Sequence, residues 1–174
     1  MLGSALRIVA VLGAMTLGVS TSYAQWTTDV TDDLFSDNKN ASMVGMINFN
    51  SGMYLSCSGP EKLTFSYIER GDWEPGMDGV PAKLIVQVDG GEKHALHGVF
   101  YDHNADFYGV ESDEVDKIRP IVAAIRDAKS KIMVGLLIES SGRSYSASVS
   151  VNGSTRAASR FIEACNIDLS DPGS

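Results

Sequence analysis

Two cysteines, Cys57 and Cys165, stand 108 residues apart and are the only ones in the chain. That spacing excludes a Cys-x-x-Cys redox pair and a cysteine-rich zinc site. What else the pair can do depends on the compartment, and the N-terminus speaks to that. One charge, Arg7, precedes an apolar run over residues 8–19, which breaks into Ser20-Thr21-Ser22-Tyr23-Ala24. Small residues at Ser22 and Ala24 predict cleavage before Gln25, so residues 1–24 read as a signal peptide and the protein as periplasmic or secreted. The run falls short of the ~20 apolar residues a spanning helix needs. No cysteine near the site suggests lipid attachment, no Arg-Arg pair suggests the twin-arginine route, and no membrane span is expected after cleavage. In an oxidising compartment the simplest use of two cysteines is one disulfide, which would pin the last helix to the second strand. The chain-entropy model values such a loop at roughly 4–5 kcal/mol. Two buried free thiols are the alternative.

Without its leader the chain has about 150 residues, the usual size of one domain. Residues 25–42 are acidic and polar, with Trp26, Leu34 and Phe35 as the large apolar groups, and read as an exposed lead-in with at most a turn of helix. The single domain is expected over 43–168, with 169–174 a flexible tail. Apolar runs at 43–49 and 54–57 flank Asn50-Ser51-Gly52, and Leu63, Phe65 and Tyr67 alternate with Thr64, Ser66 and Ile68. Period two is what a strand with one buried face requires, so these runs predict an antiparallel meander. Gly71, Pro75, Gly76 and Gly79 make the next stretch a loop around Trp73. Strands over 82–88 and 93–101 follow, joined by Asp89-Gly90-Gly91, a strong hairpin signal.

From Asp113 the period changes to that of a helix. Ser112 is the expected N-cap, and Val115, Ile118, Val122 and Ile125 share a face. Pro120 either kinks this helix or opens its main part. Residues 131–139 are nearly all apolar, as in a central strand covered on both faces. Residues 144–151 alternate strictly, with Tyr145, Ala147, Val149 and Val151 facing in and four serines facing out. Asn152-Gly153-Ser154 then caps a last helix ending at Cys165. The predicted fold class is α+β: a mainly antiparallel sheet with two helices packed on it and one disulfide.

Fourteen Lys+Arg against 22 Asp+Glu give a formal charge of −8, which argues against nucleic acid as a partner. The histidines His94, His97 and His103 lie close in sequence, beside Asp102 and Asp106. On a strand, positions 94 and 97 point to opposite faces, so solvated histidines are favoured over a metal site and no cofactor is expected. No Gly-x-Ser-x-Gly elbow, Ser-x-x-Lys pair or Walker loop is present. Between His94 and Asp116 there is no Lys or Arg, while six acids fall there beside Phe100, Tyr101, Phe107 and Tyr108. Such a patch could receive a basic protein partner or a sugar. Trp73, in a Gly/Pro-rich acidic loop, is either a contact anchor or a packing lid, and the poor apolar surroundings favour the anchor. The candidate binding residues are therefore Trp73, Tyr101, Asp102, Asp106 and Tyr108.

Trp26 with its following Asp-Asp, the run Met53-Tyr54-Leu55-Ser56-Cys57, the strand from Tyr145 to Val151, Asn152-Gly153-Ser154 and the closing Ala164-Cys165 form one arrangement. It resembles small exported proteobacterial proteins of unknown function, among them accessory periplasmic proteins of type VI secretion clusters. The resemblance implies a compact sheet-and-helix domain, paired cysteines and a cell-envelope role without catalysis. The expected function is a non-enzymatic domain binding an envelope protein or a glycan. The competing expectation is a small envelope hydrolase or metal-dependent enzyme using the segment from His94 to Asp106.

Overall fold

The computed structural model describes residues 25–34 and 39–169; the expected signal peptide and residues 170–174 lie outside them. Its strands are β1 (Trp26–Asp32), β2 (Lys39–Asn48), β3 (Ser51–Ser58), β4 (Leu63–Arg70), β5 (Pro81–Val88), β6 (Lys93–Asn104), β7 (Phe107–Ser112), β8 (Lys131–Ile138) and β9 (Arg143–Ser150). Two helices, α1 (Val115–Asp127) and α2 (Ser154–Cys165), complete the described fold apart from one short turn of helix at Pro75–Met77. The strands form one curled sheet in the order β1-β2-β3-β4-β7-β6-β5-β8-β9, antiparallel throughout. This is the expected α+β class, with both helices on the concave face.

The meander expected from the alternating runs is β2, β3 and β4, and the Asp-Gly hairpin is β5–β6. At that hairpin Asp89 and Gly90 have φ of 53° and 73°, the two positive values a type I′ turn demands. Asp89 does more than turn. Its carboxylate accepts from the backbone N–H groups of Lys129, Ser130 and Lys131 at 2.6, 2.8 and 2.9 Å, tying the hairpin to the link between α1 and β8. These hydrogen bonds hold its pKa far below the ordinary carboxylate range.

The described part of the acidic lead-in is not an exposed tether; residues 35–38 of it lie outside the described residues. Residues 26–32 form strand β1, paired with β2 from Trp26↔Gly45 to Asp32↔Lys39. What converts a polar segment into sheet is Trp26, which is 1% exposed and lies over Gly45, where an added Cβ would come within 2.5 Å of the ring. The indole N–H donates to the Ser150 carbonyl at 2.8 Å, so the first and last strands meet at this corner. At the other end of the domain, Leu169, expected to open the tail, packs partly buried against the core.

Strand β7 was also not expected. Asn104 turns the chain into it, its side-chain oxygen accepting from the N–H groups of Asp106 and Phe107 at 2.9 and 3.1 Å. Ser112 ends that strand instead of capping α1; its hydroxyl accepts from the Glu114 N–H at 3.4 Å. Helix α1 runs continuously through Pro120, which sits on its exposed side, where the carbonyl deprived of a donor can turn to water. Strand β8, next to the edge strand β9, is buried on one face and not on both as expected: its concave-face residues Ile132, Val134 and Leu136 join the core, while Met133 and Leu137 on the other face are half-buried.

The concave face supplies the core. Leu55, Phe65, Leu84, Leu96 and Val134 meet Ile118, Ile121, Val122 and Ile125 of α1 and Ala158 and Phe161 of α2. Burying a side chain such as Phe161 is worth roughly 1.5–3 kcal/mol. Cys57 and Cys165 are joined by a disulfide with Cα atoms 6.0 Å apart, fixing the end of α2 to β3 as expected.

Candidate functional site

The strand registers sort the connections into two ends. The disulfide, α1 and α2 occupy the end where β3 finishes and β4 begins. The opposite end is ringed by the β2–β3 turn, the loop over 71–80, the β6–β7 turn and the β8–β9 turn. Because β4 pairs with β7 while β5 lies two strands further along, the 71–80 loop must cross the ends of β7 and β6. Hydrogen bonds from Gly71 N–H to the Asp106 carbonyl (3.2 Å) and from Gly79 N–H to the Phe100 carbonyl (3.0 Å) fasten it there.

Beneath this ring lies a cavity of about 310 Å³ opening from the concave face. Tyr67, Phe100 and Leu136 form its buried floor, and Tyr108, Tyr145 and Met77 form its rim. Neither α1 nor α2 contributes to its lining; Met77 enters from the short helical turn in the crossing loop. The rings of Tyr67 and Tyr145 face one another across the curl at 5.6 Å between centroids, tilted by 50°. Two charged side chains reach the cavity, Glu69 and Arg143. The Tyr67 hydroxyl stands 3.5 Å from the Glu69 carboxylate, and burial first, then that negative charge, pushes the phenol well above its ordinary pKa. Tyr108 is raised by the same two causes. Both phenols therefore stay neutral at any physiological pH and serve as hydrogen-bonding tips on apolar rings. Beside them the Ser51 hydroxyl faces Tyr67, buried and without a well-formed hydrogen bond.

Of the residues singled out from the sequence, Tyr108 lines this cavity. Asp102 stands opposite it across the β6–β7 pair and is exposed, and Asp106 is exposed in the turn that anchors the crossing loop. Trp73 sits in that loop, half-buried against the core, between the bare anchor and the covered lid. Tyr101 belongs to the other face of the sheet. Its hydroxyl donates to Ser66 Oγ at 3.0 Å and lies 2.8 Å from His103 Nδ1, while Ser66 donates to Glu111 at 3.3 Å. Tyr54 meets the His103 ring edge-on at 4.6 Å. Burial pushes the pKa of His103 down and that of Tyr101 up, so the imidazole and phenol are neutral beside Glu111, on the face of the sheet away from the cavity.

The histidines are dispersed. His94 is half-buried on the concave-face parity near Asp116 and Lys117, whereas His97 is exposed on the other parity, its N–H donating to Glu114 at 2.7 Å. Among the described residues, no group of three or more His, Cys, Asp or Glu side chains is placed to hold a metal ion.

Sequence reasoning missed Tyr67, Glu69, Phe100, Leu136, Arg143 and Tyr145 as site residues. Tyr67 and Tyr145 were legible as inward-facing, and inward-facing aromatics read as core; that the interior is unfilled beside them has no signature in the alternation. Comparison of the chain with known families, with curated proteins and with solved structures found no match.

Proposed function

We propose that this chain is an exported, non-enzymatic binding domain that holds an envelope protein by an apolar side chain inserted in the aromatic cavity. The observation that carries this reading is the cavity itself: a sheet interior filled by two helices at one end is left open at the other, walled by rings and by Met77 and Leu136. Aromatic-rich pockets with a few polar tips are where protein partners lodge their anchor residues. A sugar needs several planar polar groups converging on its hydroxyls, and here the charged contributors are Glu69 and Arg143. The disulfide and the leader-like N-terminus support a setting in the envelope or outside the cell.

The test is a two-dimensional NMR titration with N-acetylphenylalaninamide and, separately, with N-acetylglucosamine. The reading expects the amino-acid amide to shift the signals of Tyr67, Tyr108 and Tyr145. Shifts there from the sugar alone would replace the protein partner by a glycan, and shifts from neither would remove the cavity as the site.

A further inference from the structure

The two edges of the sheet are treated differently. At β1 the edge is covered by α2, with the Thr28 hydroxyl donating to the Ala157 carbonyl at 2.7 Å. At β9 the orientation of the backbone follows from its partner strand. The N–H of Lys131 donates to the Asp89 carboxylate and its carbonyl accepts from the Asp89 N–H, both at 2.9 Å, so both groups point towards β5. Lys131 faces Ser150 across β8–β9, which makes this a pair without mutual hydrogen bonds. Alternation along an antiparallel ladder then turns the N–H and C=O of Ser144, Ser146, Ser148 and Ser150 away from β8. Trp26 takes the Ser150 carbonyl. Those of Ser144, Ser146 and Ser148 meet no further strand among the described residues, and all three serines are exposed.

Such an edge is unusual. Native sheets blunt theirs with Pro, Lys, bulges or a cover. Over 144–148 β9 has no Pro, Lys or bulge and pairs with β8 in unbroken register, its serines are exposed, and the element the curl brings near it is β2, with which it does not pair. Arg143, Ser144 and Tyr145 at its upper half are also part of the cavity wall. A strand laid against β9 would therefore send alternate side chains towards the concave side, at the cavity mouth. The surrounding turns are acidic, with Asp72, Glu74, Asp78, Asp102, Asp106 and Glu139 exposed. Against them stand Arg143 and Arg70, the latter held over the Phe107 ring at 5.0 Å. A second copy of the chain would bring the same acids against themselves.

We infer that β9 accepts an extended, basic peptide segment of the partner as a tenth strand, with one large apolar side chain of that segment seated in the aromatic cavity. This rests on the binding reading above and adds to it the backbone mode of recognition and the charge of the partner.

The probe is a nine-residue synthetic peptide alternating threonine and lysine around a central phenylalanine. Two counterparts carry N-methyl groups on one or the other alternate set of backbone amides, and a third has threonine for phenylalanine. The parent peptide should bind the mature protein and slow amide hydrogen exchange at Ser144, Ser146 and Ser148. One N-methylated set should weaken binding by about tenfold or more, as loss of two or three backbone hydrogen bonds implies. Ser146→Pro, which removes an outward N–H at an edge where Pro is tolerated, should weaken it similarly with the fold retained by thermal melt. If both methylated peptides bind like the parent while the threonine version fails, the cavity stands and the strand addition is overturned. If neither the parent peptide nor N-acetylphenylalaninamide binds, the cavity reading falls and takes this one with it. Dimerisation of the protein alone, abolished by Ser146→Pro, would also overturn it by assigning the edge to a second copy.

Discussion

The two ends of the sheet's interior are built from the same alternating strands and have opposite fates. At the closed end, Phe161, Ile121 and Ile125 fill the space between strands and the disulfide fixes α2 in place. At the open end, Tyr67 and Tyr145 face each other over a cavity with no helix between them. One interior therefore serves as a core where a helix reaches and as a site where none does. Removing atoms from the closed end should cost stability, and removing them from the open end should cost binding.

The largest effect is expected from Phe161→Ala. A fully buried ring in close-packed surroundings leaves a cavity, and urea unfolding should show a loss of about 3–5 kcal/mol. Next comes the disulfide: replacing Cys57 and Cys165 together with serine should cost roughly 2–5 kcal/mol, read as a melting temperature lower by several degrees. Trp73→Ala should fall between the two ends, at about 1–2 kcal/mol by urea melt, because the indole is half-buried in the loop that crosses the mouth. Tyr145→Ala removes a ring that is 46% exposed, so stability should change by about 1 kcal/mol or less while affinity for N-acetylphenylalaninamide drops measurably in the same NMR titration. A loss of several kcal/mol on Tyr145→Ala would make the open end a core and erase the contrast.

The last effect belongs to Asp89 and is read as a pH dependence, because its contribution is lost in acid. Its folded pKa lies below the unfolded carboxylate value, so its contribution is fully present above about pH 4. As pH falls from there towards the depressed folded value, the unfolded chain takes up a proton that the folded one refuses, and stability declines. Melting curves through that window should fall more steeply for the unaltered protein than for Asp89→Asn.

How much of this was readable from the chain differs by element. Phe65 and Tyr67 alternating with Ser66 and Ile68, and Asp89-Gly90 between two such runs, carry their geometry in the residues themselves. Strand β1 did not, since Thr27, Asp29 and Thr31 give little hint of sheet; what holds them is Trp26 reaching Ser150, 124 residues away. In β7, Gly109 and the close turn at Asn104 disguised a strand as a polar patch. The candidate site suffered most. Tyr108 was picked for its acidic neighbours, and Tyr101, on the same strand pair, falls on the far side of the sheet by parity. Which inward-facing aromatics end up beside empty space depends on where α1 and α2 stop, a tertiary fact with no local pattern.

Xenon binding to crystals of the mature, disulfide-intact protein tests the contrast between the ends most directly, because xenon settles in unfilled apolar space and avoids packed interiors. A xenon site bounded by Tyr67, Phe100 and Leu136, with none beside Phe161, is the expected result. Xenon lodged between the helices, with the turn-ringed end empty, would contradict it.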